Sequence, residues 1–192
     1  MKATLVLDNG MRFEGTAFGC EKPAVGEVVF CTAMTGYPES LTDAAYAGQL
    51  LVLTYPLVGN YGVPSHEVKE LGLEKFFESN KIQVSGLIVT DYSVEYSHWN
   101  AAETLDAWMK REGVPGITGV DTRAITKAIR DNGVMGGKII IGEAETSTLI
   151  PQPYDTIDQV ANVTCAEPTT YGEGEKKEIG RASCRERVCL SV

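Results

Sequence analysis

The run Leu50-Leu51-Val52-Leu53-Thr54-Tyr55, stopped by Pro56, is apolar on consecutive positions rather than alternate ones. A strand of that kind is covered on both faces, so this chain needs packed layers on either side of its sheet. The surrounding elements can supply them. Residues 4–8 and 11–18 read as two strands around Asn9-Gly10, the dipeptide that supplies both positive-φ positions of a two-residue type I′ hairpin. Residues 26–32 make a third strand. Beyond the apolar run, residues 73–78 read as a short helix and 84–89 as a buried strand. Asn100 is expected to cap a helix in which Leu105, Trp108 and Met109 form an i, i+3, i+4 stripe, with Gly113 as its stop. Residues 116–120 form a short strand leading to Asp121, the expected N-cap of the next helix. Ala124, Ile125, Ala128 and Ile129 make its inward face, and Asn132-Gly133 ends it. Residues 138–141 are the last clear strand. Strands first, then helices alternating with strands, predict an α/β layered domain over residues 1–142.

Beyond Gly142 the pattern weakens. Pro151, Pro153, Pro168 and residues 172–177 read as a C-terminal linker spanning 143–177, with a short helix expected near 156–162. Residues 178–192 differ in composition from what precedes them, carrying three Arg and two of the five Cys. Residues 178–188 back-translate to a sequence that resembles a common sequencing adapter. That tail is expected to be non-native and to have replaced a native continuation.

Charge and cysteine usage narrow the chemistry. The net charge of the 192 residues is −9, and it is −10 over residues 1–177, with 14 cations and 24 anions. Nucleic acid selects basic faces, so it is not an expected partner. No apolar run approaches the roughly 20 residues that span a bilayer, and the start lacks the apolar core of a signal peptide. No membrane partner is expected, and the cytoplasm is the expected compartment. Cys20, Cys31, Cys165, Cys184 and Cys189 contain no C-x-x-C pair, and His66 and His98 belong to no H-x-x-x-H motif. Free thiols and no metal site are the expectation.

Catalytic motifs fail on inspection. Residues 132–139 have Asn132 where a phosphate-binding loop needs its first Gly, and Ile139 where a hydroxyl follows the Lys. Residues 113–119 do not have dinucleotide-fingerprint spacing. No Cys is framed as G-x-C-x-G, the strained nucleophile elbow. No catalytic and no cofactor-binding residue is therefore assigned in this chain. The positive signal lies in two turn-rich segments that end strands, residues 32–43 and 54–62. On residue types alone they are equally readable as structural turns.

Four segments carry a resemblance that decides between these readings: Thr32-Ala33-Met34-Thr35-Gly36-Tyr37-Pro38-Glu39-Ser40-Leu41-Thr42-Asp43, Thr54-Tyr55-Pro56-Leu57-Val58-Gly59-Asn60-Tyr61-Gly62, Ser97-His98-Trp99-Asn100 and Gly119-Val120-Asp121-Thr122-Arg123-Ala124-Ile125-Thr126. With Gly15 and Gly26-Glu27-Val28-Val29-Phe30, they resemble the N-terminal domain of the small chain of glutamine-dependent carbamoyl-phosphate synthase over about residues 1–142. The resemblance implies a swivelling β/β/α layered domain that docks on a large synthetase chain. It implies that glutamine is hydrolysed by a Cys/His/Glu triad in a separate C-terminal amidotransferase domain, absent from this sequence. Ammonia then passes to the large chain. There, with ATP and Mg, bicarbonate becomes carbamoyl phosphate for arginine and pyrimidine synthesis.

Two positions depart from the family pattern. In Thr42-Asp43-Ala44-Ala45-Tyr46, Ala45 stands where the family usually has a Ser whose hydroxyl contacts bound glutamine. A lost neutral hydrogen bond is worth roughly 0.5–1.5 kcal/mol, which lowers glutamine affinity about 2–12-fold. Cys31 stands where the pattern more often has a polar residue and is expected to be a packed thiol. The alternatives are a stand-alone swivelling-domain binding module without enzymatic role and a metabolite-binding regulator.

Overall fold

The computed structural model describes residues 1–70, 73–142 and 158–164, together with the backbone of the strands Thr169–Tyr171 and Glu178–Gly180. Seven strands close into a barrel: β1 Lys2–Leu7, β2 Arg12–Gly19, β3 Ala24–Cys31, β4 Leu50–Leu53, β5 Gly86–Ile88, β6 Pro115–Thr118 and β7 Gly136–Ile141. Their order around the barrel is β1-β7-β3-β4-β5-β6-β2. The pairs β3–β4, β4–β5 and β5–β6 are parallel; the other four pairs are antiparallel. Helix α1 (Tyr37–Thr42) follows β3, α2 (Leu105–Glu112) precedes β6, and α3 (Thr122–Asn132) joins β6 to β7. The expected mixture of helix and strand is present, organised on one strand-dominated sheet that closes on itself.

The consecutive apolar run now has its cause. Leu50 and Val52 join Leu5, Ile88, Ile117 and Ile139 in a core drawn from all the barrel strands, so this core is the barrel interior, with Ile125 of α3 included. Leu51 and Leu53 face the other way, onto Leu41, Leu87, Leu105 and Trp108 in a second core. That outer core seats α1 and α2 against the sheet. Trp108 and Met109 are fully buried, as the stripe predicted. Each buried side chain of this size contributes about 1.5–3 kcal/mol of transfer free energy, so α2 is held by packing more than by propensity.

Four local expectations change. The first hairpin closes through a three-residue loop: Gly10 N–H donates to Leu7 O and Leu7 N–H to Met11 O, each at 2.9 Å. With Gly10 in a left-handed conformation at φ 86° as its last residue, this three-residue loop has the pattern of a type I turn with a bulge rather than a two-residue type I′ turn. Residues 73–78 are not helical; Leu73–Glu74 pairs antiparallel with Lys69–Glu70, and Phe77 turns inward into the outer core. A six-residue helix is too short to stand without capping, and burying Phe77 decides the local path. Asn100 does not cap α2. Residues Ala101–Glu103 pair with Val63–Pro64, and Thr104 is the cap, its Oγ1 accepting Ala107 N–H at 3.1 Å. The expected helix near 156–162 runs over Gln159–Val163 as α4, because Asp158 caps it through Ala161 N–H at 2.9 Å.

Asp121 and Gly133 bound α3 as expected. Glu178–Gly180 pairs antiparallel with Thr169–Tyr171. The rest of the 178–192 tail, and linker residues 143–157, lie outside the described residues.

Candidate functional site

Because β3, β4, β5 and β6 run parallel, their carboxyl ends at Cys31, Leu53, Ile88 and Thr118 share one rim of the barrel. The carboxyl edge of parallel strands is where α/β folds commonly present binding groups. All four segments singled out in the sequence begin at or beyond this rim, and backbone hydrogen bonds tie them together. Thr54 N–H donates to Cys31 O at 3.1 Å, Ser93 N–H to Val58 O at 2.8 Å, Ser97 N–H to Asn60 O at 3.0 Å and Gly119 N–H to Thr90 O at 2.9 Å. The Thr90 and Thr122 hydroxyls meet at 2.7 Å, linking the 90s loop to the start of α3.

Tyr37 and Tyr61 are the centre of this rim. The Tyr61 hydroxyl accepts the N–H groups of Gly36 at 2.8 Å and Tyr37 at 3.0 Å, satisfying the open start of α1. The Tyr37 hydroxyl donates to Gly62 O at 2.6 Å. Burial raises both phenols above their ordinary range, most strongly in Tyr37, which the neighbouring Tyr61 raises further. Both therefore act as neutral hydrogen-bonding groups. His98 meets the Tyr61 ring edge-on at 6.2 Å and contacts Trp99 at 5.5 Å.

Ala45 lies elsewhere. It sits in the 3-10 turn Ala44–Tyr46, whose Asp43 cap accepts Ala45 N–H at 2.8 Å. The turn leads through Gly48 into the start of β4, so it belongs to the opposite, amino-end rim. Gly48 N–H donates there to Gln83 O at 3.0 Å. Ala45 is exposed. The side chain of Gln159 from α4 lies over Gly48, its Nε2 3.4 Å from where a β-carbon would stand. The position where the resemblance puts a glutamine-contacting hydroxyl is thus on the same rim as the short helix that follows the barrel.

A third feature was invisible in the sequence. An open cleft of about 520 Å³ on the flank is lined by His66, Glu67, Glu74, Glu103, Arg111 and Glu112, among others. Arg111 forms a two-pronged pair with Glu103 at 2.6 and 2.8 Å, which holds its guanidinium above the ordinary range. His66 Nδ1 meets Glu74 Oε2 at 2.9 Å, and its ring stacks on Phe77 at 4.1 Å beside Trp108. His66 Nε2 and Trp108 Nε1 are buried without a protein partner. No spacing links residues 66, 77 and 108; only folding of the outer core unites them.

Cys31 is half-buried at the upper rim, and its sulfur accepts Ala33 N–H at 3.5 Å. Cys20 is a half-buried free thiol. His66 and His98 are on separate features, and among the described residues no three His, Cys, Asp or Glu side chains cluster as metal ligands. Among the described residues no helix is long and apolar enough to cross a membrane.

Fold and rims together define a mixed α/β barrel domain with loops gathered at both of its rims. The family described as "Carbamoyl-phosphate synthase small chain, CPSase domain" matches residues 5–139, nearly the whole barrel, and the chain belongs to that family. The arginine-specific carbamoyl phosphate synthase small chain of Saccharomyces cerevisiae is 47% identical over 171 residues, covering 87% of this chain and 40% of that protein. The carbamoyl phosphate synthase small chain of Pyrococcus furiosus is 50% identical over 174 residues, covering 88% and 47%. The mitochondrial carbamoyl-phosphate synthase (ammonia) of Homo sapiens is 44% identical over 188 residues, covering 95% and 12%. The chain thus spans less than half the length of these relatives. Among solved structures, an aminopeptidase from Aneurinibacillus sp. strain AM-1 aligns at a TM-score of 0.37 and 14% identity over 73% of this chain and 30% of that one, too low to bear on the fold.

Proposed function

We propose that this chain is the docking and positioning part of a carbamoyl-phosphate synthase small chain, of the swivelling β/β/α type, and that its ligand is the large synthetase chain. The observation that carries this reading is the family match over residues 5–139, which coincides with the closed barrel from Lys2 to Ile141. In this reading glutamine is hydrolysed by a Cys/His/Glu triad outside these residues, and ATP and Mg act on the large chain. The ammonia released supports carbamoyl phosphate synthesis for arginine and pyrimidines in the cytoplasm. Ala45 faces the glutamine side at the amino-end rim and contributes no hydroxyl there. The test is co-purification of the 192-residue chain with the large chain from the same genome. A packed subunit contact survives roughly 0.5 M salt, where screening reduces the Debye length to about 4–5 Å. No association at any salt, with both chains folded, overturns this reading in favour of a stand-alone module.

A further inference from the structure

We propose that the exposed apolar surface at the carboxyl-end rim, centred on Met34, Leu57 and Trp99, is the face on which a separate protein chain with a basic border docks. Its identification with the large synthetase chain rests on the function proposed above. Exposure singles out this rim. Trp99 is 86% exposed, Met34 72% and Leu57 38%, and Val94, Tyr55 and Tyr96 on the same loops are also open to solvent. These side chains are not scattered. Met34, Tyr55 and Leu57 line one depression together with Tyr37. From Tyr37 a series of ring contacts runs through Tyr61 and His98 to Trp99. Exposed apolar side chains gathered on the loops of one rim mark an interaction site, and here the buried Tyr37 ring joins those loops from beneath; Trp and Tyr are enriched among the side chains that dominate protein interfaces.

The surface also selects its occupant. The depression has room for no more than about one water molecule, too little for a metabolite, so what covers it is another surface laid against it. The short helix α4 downstream of the barrel sits at the opposite rim, where Gln159 covers Gly48. The loops that carry the exposed apolar side chains are acidic or neutral, with Arg123 beside Asp121 at the start of α3 as the cation on the same rim's fourth segment. Residues 32–62 and 82–104 contain no Lys or Arg, while Glu39, Asp91 and Glu95 are exposed. A two-fold dimer through this face would set those carboxylates against their own copies, which disfavours a second copy. The complement is a chain with apolar side chains ringed by Lys and Arg. The loops are already tied down by the Tyr61 hydroxyl and the Ser97–Asn60 bond, so little ordering is lost on binding.

The experiment measures binding of the full 192-residue chain to the purified large chain, with Trp99→Ala, Leu57→Asp and Glu95→Lys beside a control, Val134→Asp. Val134 is 72% exposed in the turn between α3 and β7. The expected result is at least about tenfold weaker binding for Trp99→Ala and Leu57→Asp, and Val134→Asp within about twofold of wild type. Glu95→Lys is expected to slow association at low salt. Melting temperatures report whether each variant folds; should Leu57→Asp fail to, Trp99→Ala carries the test, since its side chain packs on little. Wild-type binding that persists in Trp99→Ala and Glu95→Lys overturns this face while leaving the proposed function standing. Absence of wild-type binding overturns both. Self-association of the wild type, lost in Trp99→Ala, overturns the separate-chain occupant.

Discussion

Tyr37 and Tyr61 hold each other twice: their rings stack at 4.2 Å with 23° between planes, and the Tyr61 hydroxyl accepts the backbone N–H of Tyr37 at 3.0 Å. The second N–H on that oxygen, from Gly36, makes the phenol a cap for α1 supplied by a distant loop. Tyr61→Phe keeps the stacking and strands both donors. It is expected to destabilise the chain by about 1–3 kcal/mol in urea unfolding, the cost of leaving partly buried donors unmade. A loss below about 0.5 kcal/mol would mean that solvent replaces the phenol.

The same pair contributes to the response to alkali, together with Tyr92, whose phenol is also raised by burial. Burial raises both phenols above the ordinary value of 10.0, so above that pH the native state keeps protons that the unfolded chain has released. Stability then falls as pH rises, since the slope follows the protons bound by the unfolded state minus those bound by the native state. Below pH 10 these groups leave stability unchanged. Denaturant midpoints are expected to be flat, as far as these phenols go, between pH 7 and about 9, and to drop above 10. The drop should be shallower in Tyr37→Phe; an equally steep one would place the alkaline sensitivity elsewhere.

Gly15 marks the closest approach across the barrel wall. A β-carbon there would clash with the carbonyl oxygen of Thr118, on the neighbouring strand β6. Gly15→Ala must therefore push backbone, not a side-chain end, and is expected to cost about 1–3 kcal/mol. A thermal melt within a degree of wild type would show that β2 and β6 separate freely.

Glutamine hydrolysis is expected to be absent from the 192-residue chain. Cys31, the thiol at the carboxyl-end rim, accepts the Ala33 N–H, an amide that cannot serve as the base a nucleophilic thiol needs. Incubation with glutamine should release no glutamate above a protein-free control. Release that disappears in Cys31→Ala would refute this.

What the sequence made legible was local. The stripe of Leu105, Trp108 and Met109 and the Asp121 cap each depend on residues within one or two helical turns, and the structure has them as read. Where a competing partner was distant, local reading failed. Residues 73–78 resemble a helix by composition, but Phe77 is claimed by His66 and Trp108 across the outer core. Asn100 is as good a cap as Thr104, but pairing of Ala101–Glu103 with Val63–Pro64 leaves only Thr104 at the helix start. Closure of the sheet has no local signature, because it is a property of which strands neighbour which. The division of the family motifs between two rims was hidden for the same reason. Residues 32–43 and 42–46 follow one another directly in the sequence, yet α1 carries the chain from the Tyr61 rim to the Ala45 rim between them.

The pairing of β1 with β7 sets the order of events during synthesis. Leu5 lies opposite Ile139, and Gly136 N–H reaches Asp8 at 3.1 Å, so the wall is sealed by residues more than 120 positions apart. Contacts of that span carry a large loop-closure cost and slow the search for the native state. The first hairpin emerges from the ribosome early but has no partner for the outer edge of β1 until residue 141 is clear. Throughout that interval Leu5 and Leu7 lack their barrel core, and an unpaired apolar strand is a template for pairing with other chains. The step most exposed to aggregation is therefore the wait for β7, and a chain truncated before Gly136 would be caught in it permanently.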